Sequence, residues 1–554
     1  MLLKFDNMKN LKSVGICLCA CVLVLGVSAG AARAQEQNFN AGKNLELQYD
    51  VLKALSARFV DSVKVDKLVE TGIHAMLRSL DPYTQFIPME DQEALEMMTQ
   101  STYGGMGSSI RKYPEDSLVT VIEPYKLSPA AKSGLEPGDK ILYIDGKDVK
   151  PLSADQSSKM LRGTPGTTVE LDLIKGRSGE RKKIIITREK IHVPDVAWYG
   201  MLENKVGYIR LTGFTAGGAQ TTREAVIDLK KKGAEKIVLD LRSNPGGLLD
   251  EAVKTVSIFV PKGTKVVTQK GREVSDVSIY KTMEEPVDTL IPLMVVVNSS
   301  SASSSEIVTG AVQDLDRGFV AGQRTYGKGL VQGMAPLGYD GVLKLTVAKY
   351  YTPSGRCVQA IDYSNRREDG SVGTIPDSLK KEFKTLVKGR SVYDGGGITP
   401  DSLIKEDTYA RVVYSVVGNA ITEDFAIKYY KENPQIASPA EFVIDDRIYD
   451  QFVEYASKQD FDFRSASLAE LERIIEDAKK EGLYEDSKEL FDSLKEKLTV
   501  TKEEALRKNR KAISYFFGAD IVAKYYYTEG ETEYSIKGDS QLQQAIKVFL
   551  QLGK

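Results

Sequence analysis

From Lys205 onward the chain repeats one pattern: a short apolar run, a turn, then an amphipathic helix. Gly207 to Leu211 reads as a strand, and Ala219 to Lys232 as a helix with Ala225, Val226 and Leu229 on one face. Lys236 to Leu241 is a continuous apolar strand ending in Arg242-Ser243-Asn244-Pro245-Gly246-Gly247, and Leu248 to Phe259 is the next helix. Pro292 to Asn298 is another buried strand and Glu306 to Leu315 another helix. Strands that are apolar throughout, rather than alternating, are covered on both faces, as in a parallel sheet between helices. Functional groups in such sheets gather beyond the C-terminal ends of the strands. The Asn244 to Gly247 turn and the serine turn after Asn298 both fall there.

A chain of 554 residues exceeds one core, so three or four domains are expected. Residues 1–34 read as a cleavable secretory leader: Lys9 and Lys12 precede an apolar run from Val14, which ends at Ala32-Arg33-Ala34 before Gln35. The competing reading is an uncleaved membrane anchor. Residues 35–98 carry helical spacing in Leu45, Val51, Leu52 and Leu55 and again in Leu68, Ile73, Met76 and Leu77, with a helix stop at Leu80-Asp81-Pro82-Tyr83. Residues 99–191 change to short strands, with one helix near Ala154 to Leu161. Residues 192–405 hold the α/β core, with a further strand from Gly341 to Tyr350. Residues 406–554 are helical and charge-rich, with Ile474, Ile475, Ala478, Leu490 and Leu494 on helical faces; packing, capping or self-association is the expected role.

Composition excludes several classes. A net charge of −2 argues against nucleic acid, which needs a basic excess. There are only two histidines, His74 and His192, and neither sits in a motif, which counts against a histidine-based triad and a His-rich metal site. Of four cysteines, Cys17, Cys19 and Cys21 leave with the leader. Cys357 remains as a lone thiol without a nearby base.

In residues 99–191, Tyr103-Gly104-Gly105-Met106-Gly107 precedes a strand from Ser108. A glycine-rich loop there can aim successive N–H groups at a carboxylate, and the open strand edge can pair with an extended peptide. Leu135-Glu136-Pro137-Gly138-Asp139 followed by Ile144-Asp145-Gly146 makes the region resemble a PDZ domain. The peptide-binding positions are then Gly104, Gly105, Met106 and Gly107. Arg162 either senses the peptide or is a solvated surface arginine.

The serine turn has two local readings. Ser303-Ser304-Ser305-Glu306 fits a capping box, so Ser303 taken alone is a helix cap. Gly322 to Lys328 mimics the start of a phosphate-binding loop, but Gly329 stands where Ser or Thr is required, and no helix follows. Asn298 to Ile307, Thr325-Tyr326-Gly327-Lys328-Gly329-Leu330-Val331-Gln332 and Leu239 to Gly247 together resemble the carboxyl-terminal processing, or tail-specific, proteases. The upstream PDZ region and the Leu80-Asp81-Pro82 segment match in the same order.

That resemblance implies a nucleophile at Ser303, a lysine base at Lys328 and a supporting glutamine at Gln332. Ser300 and Ser304 replace the family's usual glycine and alanine, so Ser301 and Ser305 stay as outside candidates for the nucleophile. The physics is compatible. A serine needs a neutral base, and burial lowers a lysine from its usual value near 10.4. Gly246 or Gly247, with the N–H of Ser304, can form an oxyanion hole.

The expected architecture is therefore α/β multidomain: a helical N-terminal region, a PDZ domain, an α/β protease core and a helical C-terminal region. The expected function is an exported serine endopeptidase that acts on protein tails with a free C-terminus. Its expected location is the periplasm, or the membrane if the leader is retained. The resemblance further implies gating by PDZ movement, and it implies no metal or cofactor. A homo-oligomer through the C-terminal helices and an activating adaptor are open possibilities for partners. The alternative is a catalytically idle peptide-binding scaffold on the same fold.

Overall fold

The computed structural model describes residues 41–88, 102–113, 116–338, 341–367 and 369–552. The leader and residues 89–98 of the N-terminal region lie outside these. Among the described residues no helix is long and apolar enough to cross a membrane.

The chain divides into two compact units, one up to Phe86 and one from Ile87 on. In the first, helices span residues 41–58 and Val65–Arg78. The stop is made by Asp81, which accepts hydrogen bonds from the N–H groups of Tyr83 (2.8 Å) and Thr84 (2.7 Å). Helical spacing was expected to continue to residue 98, but Gln85–Pro88 is a strand, because Pro82 and the Asp81 turn redirect the chain.

The second unit begins with an antiparallel sheet in the order Ser108–Lys112, Val119–Pro124, Lys140–Ile144, Thr168–Ile174, Arg181–Thr187. Val119, Val121, Ile141, Leu171 and Leu173 fill its core. Helix Ala154–Leu161 starts at a reciprocal Ser153–Gln156 capping box. This is the expected PDZ arrangement. Its two ends pair with each other, Thr102 opposite His192 and Gly105 opposite Glu189.

The core sheet has the order Val196–Leu202, Val206–Leu211, Lys236–Asp240, Leu293–Val297, Phe319–Gly322, Ser402–Leu403. All neighbours are parallel except the first pair. Side chains alternate across its two faces. Ile237, Leu239 and Val295 pack on one face against helices Gly218–Lys231, Leu249–Ser257 and Ser304–Asp314. Val238, Met294 and Val296 face the other way and meet Leu542, Ala545 and Phe549 of the final helix, Ser540–Gln551. The C-terminal region thus supplies a layer of the core sheet, which its local sequence did not disclose.

A second sheet, absent from the sequence reading apart from Gly341–Tyr351, orders Leu330–Leu337, Gly341–Tyr351, Lys265–Lys270 and Val277–Lys281 side by side, all antiparallel. Leu330–Leu337 has no clean alternation of buried and exposed residues, so it carries no period-2 signal.

The C-terminal helices share a core in which Phe452 stacks on Phe517 with centroids 4.7 Å apart. Helix Arg510–Gly538 folds back at Tyr527 (φ +60°), and a Cβ on Gly518 would meet the Tyr534 hydroxyl at 2.2 Å. Of the expected apolar positions, Ile475 and Ala478 are buried, whereas Ile474, Leu490 and Leu494 face solvent. The PDZ sheet docks on this domain: Arg111 pairs with Glu423 and Asp424, and Arg177 covers the Tyr430 ring at 4.0 Å.

Candidate active site

Strand Leu293–Val297 ends in the serine turn, and helix Ser304–Asp314 leaves it. At the junction Ser303 has φ +54° and ψ −114°. Such backbone costs a non-glycine residue about 1–3 kcal/mol and persists only where its surroundings enforce it. An ordinary helix cap has extended dihedrals, so this geometry separates Ser303 from a mere cap.

The enforcing group is Glu306, which is fully buried. Its carboxylate accepts from the Ser303 N–H (3.0 Å), the Thr325 hydroxyl (2.7 Å), the Gly327 N–H (2.8 Å) and the Lys328 N–H (2.8 Å). One carboxylate therefore ties the candidate nucleophile to the lysine loop. Burial pushes its pKa up, while these donors favour the ionised form. On the opposite side the buried Tyr350 hydroxyl lies 3.1 Å from the Ser303 carbonyl and also donates to the Lys328 carbonyl.

The neighbouring serines are engaged elsewhere. The Ser301 hydroxyl donates to the Leu241 carbonyl (2.8 Å), that of Ser304 to Gly247 (2.8 Å) and that of Ser305 to Asn244 (2.9 Å). Ser303 and Lys328 line one cleft of about 560 Å³ with Gln332, Gly246, Gly247 and Ser304. A larger cavity, about 930 Å³, lies among the C-terminal helices and holds none of these groups. No histidine lines the cleft.

The lysine loop is close-packed: a Cβ on Gly327 would stand 2.4 Å from Ala360 Cβ, and one on Gly329 2.8 Å from the Gln359 nitrogen. Gln332 lies on strand Leu330–Leu337, and its amide donates to the Thr346 hydroxyl at 3.4 Å.

The facing turn is built by Asn244, also fully buried. Its side chain donates to Leu211 O (2.9 Å) and accepts from the Gly246 N–H (2.9 Å), and its carbonyl accepts from the Ala302 N–H (3.0 Å). The Gly246 N–H is thus committed, while no described hydrogen bond takes the Gly247 or Ser304 N–H. Those two N–H groups are therefore open to an incoming acceptor.

The sequence profile of peptidase family S41 matches residues 205–365, a PDZ domain profile matches 120–175, and a profile described as the C-terminal helical domain of a probable PDZ-protease matches 412–549. A carboxy-terminal-processing protease of Bartonella bacilliformis is 36% identical over 326 residues, which are 58% of this chain and 74% of that protein. The chain belongs to peptidase family S41. A probable CtpA-like serine protease of Staphylococcus aureus is also 36% identical, over 57% of this chain and 62% of its own length. The solved photosystem II D1 C-terminal processing protease aligns at 26% identity over 64% of this chain and 92% of its own, with a TM-score of 0.33.

In this S41 peptidase the expected peptide-binding residues sit apart from the cleft, in the PDZ domain. The room left by its glycines is taken by the chain itself: a Cβ on Gly104 would lie 2.1 Å from the Gly163 carbonyl oxygen, and one on Gly107 2.5 Å from Ser128 Cβ. The absent side chains therefore serve close packing of the loop rather than only access for a ligand. The Met106 side chain is buried in the PDZ core. Arg162 is exposed, with its guanidinium 5.2 Å from the centre of the Tyr103 ring.

Sequence reasoning treated Glu306 as a capping residue only. It missed Asn244 and Tyr350 as site-builders. The capping-box spacing was a signal for Glu306; Tyr350 offered none, because its contacts come from a distant strand.

Proposed function

We propose that this S41 peptidase is an exported endopeptidase in which Ser303 attacks the scissile carbonyl and Lys328 is its base. The PDZ domain captures the free C-terminal tail of a protein substrate and presents it to the cleft. The neutral Lys328 amine takes the Ser303 proton as the acyl–oxygen bond forms, then gives it to the departing amine. Water, deprotonated by the same amine, releases the acyl group. The Gly247 and Ser304 N–H groups receive the charge that develops on the carbonyl oxygen.

What supports the assignment is the pair of clamps, Glu306 and Tyr350, which join the backbones of these two residues. The test is cleavage of an unstructured polypeptide by the wild type and by Ser303→Ala. Loss of all cleavage in the variant, with tail binding retained, is expected; equal activity of the two would end this reading. For export, N-terminal sequencing of the protein made in its host should begin at Gln35. Self-association is supported by exposed Leu490 and Leu494, and a strictly monomeric sedimentation profile would remove it.

A further inference from the structure

The cleft holds a second lysine that the dyad does not use. Lys344 lies on strand Gly341–Tyr351, directly opposite Met334, while Gln332 stands opposite Thr346 two positions along. Cross-strand partners share a face of a ribbon, so Lys344, Met334 and Gln332 point the same way, and all three line the cleft. Lys344 is half-buried, and among the described residues it has no ion pair or hydrogen bond. Burial lowers its pKa, with no carboxylate among the described residues to oppose the effect. The carboxylate on the other wall, Asp195, is already engaged by the Thr215 N–H (2.7 Å) and hydroxyl (2.9 Å). A half-buried ammonium without a counter-ion is an unfavourable arrangement that an arriving anion would relieve.

We propose that Lys344 is the cation of a carboxylate-binding subsite, so that the enzyme favours polypeptides presenting a carboxylate at one fixed place near the scissile bond. The inference rests on the peptidase reading of this cleft. The carboxylate has two sources: an Asp or Glu side chain, or the free end of a short tail that has reached the cleft. A charge-assisted hydrogen bond of this kind discriminates against the neutral isostere by roughly 10-fold or more.

The test uses the full-length protein and a neutral, unstructured peptide with one cleavage site. Glu, Gln and Lys are introduced singly at each of the positions flanking that site, and kcat/KM is measured for wild type, Lys344→Gln and Lys344→Glu. At one position Glu should exceed Gln by about 10-fold in the wild type. The ratio should fall to near one in Lys344→Gln, and Lys344→Glu should prefer Lys there. A second arm compares free and amidated C-termini; a discrimination lost only in Lys344→Gln assigns the subsite to the chain terminus. If both ratios are the same in all three proteins, the subsite does not exist. The same ratios read as affinities on the Ser303→Ala protein report on Lys344 whether or not the dyad cuts. Failure of the subsite and failure of the peptidase reading are thereby told apart.

Discussion

A Cβ placed on Gly246 would stand 2.7 Å from the Cβ of Ser303 and 2.9 Å from the Ser304 nitrogen. The Asn244 to Gly247 turn and the serine turn are thus in direct contact, and only the absent side chain permits it. Gly246 also has φ +104°, a conformation other residues rarely adopt. We expect Gly246→Ala to displace the Ser304 N–H and lower kcat by at least about 100-fold, with a stability loss of roughly 1–3 kcal/mol. Steady-state kinetics beside a thermal melt checks both; an active, stable variant would contradict the contact.

Glu306→Gln keeps the size of the side chain and removes its charge. An amide has one acceptor oxygen, yet three N–H groups and a hydroxyl point at the carboxylate. At least one buried donor must then face the amide NH2, at a cost of about 1–3 kcal/mol. We expect kcat to fall more than KM rises, because the group acts by holding Ser303 and Lys328. A KM change alone would argue against that role.

Lys328→Arg preserves a positive charge and removes the capacity to be neutral. Turnover should vanish while PDZ-mediated binding of a tail peptide persists. Residual cleavage at wild-type pH dependence would exclude Lys328 as the base.

Where the PDZ sheet meets the C-terminal helices, acids crowd together. Burial, followed by repulsion from Asp520 and Glu123, pushes Glu531 up to about 7. Burial also pushes Asp520 up to about 6, against a hydrogen bond from Thr422 and the charge of Lys524. Both lie above their ordinary values, so the folded state binds these protons more tightly than the unfolded chain. Their stabilisation is complete below about pH 4 and is lost as pH rises through 6 to 7. We expect this part of the melting temperature to decline across that window. Glu531→Gln with Asp520→Asn should flatten the profile, and an unchanged slope would refute the assignment.

Phe549 is buried against the face of the core sheet opposite the active-site helices. Phe549→Ala should cost about 3–5 kcal/mol, and removal of residues 540–554 should unfold the protease core rather than trim an accessory tail. Circular dichroism of the truncated protein checks this.

Much of this architecture is legible locally. The apolar runs at Lys236–Asp240 and Leu293–Val297 and the capped helix Ala154–Leu161 each carry their own period or signature. What was hidden depends on distant pairing. Leu330–Leu337 becomes a strand through Gly341–Tyr351, and the last helix shows an apolar stripe without naming the sheet it covers. Within the site, the resemblance to tail-specific proteases pointed to Ser303 and Lys328, and the capping-box spacing to Glu306. It gave Glu306 the wrong duty, because a capping box concerns one helix, whereas this carboxylate also serves a loop 22 residues further on.

The cross-pairing of Thr102–Gly105 with Glu189–His192 joins the two chain ends of the PDZ domain in one ribbon, beside the contacts that Arg111 and Arg177 make with the C-terminal helices. Val193, Pro194 and Asp195 continue directly from the ribbon and form a wall of the cleft. We expect a twist of that ribbon to shift this wall of the cleft directly, with no separate messenger segment.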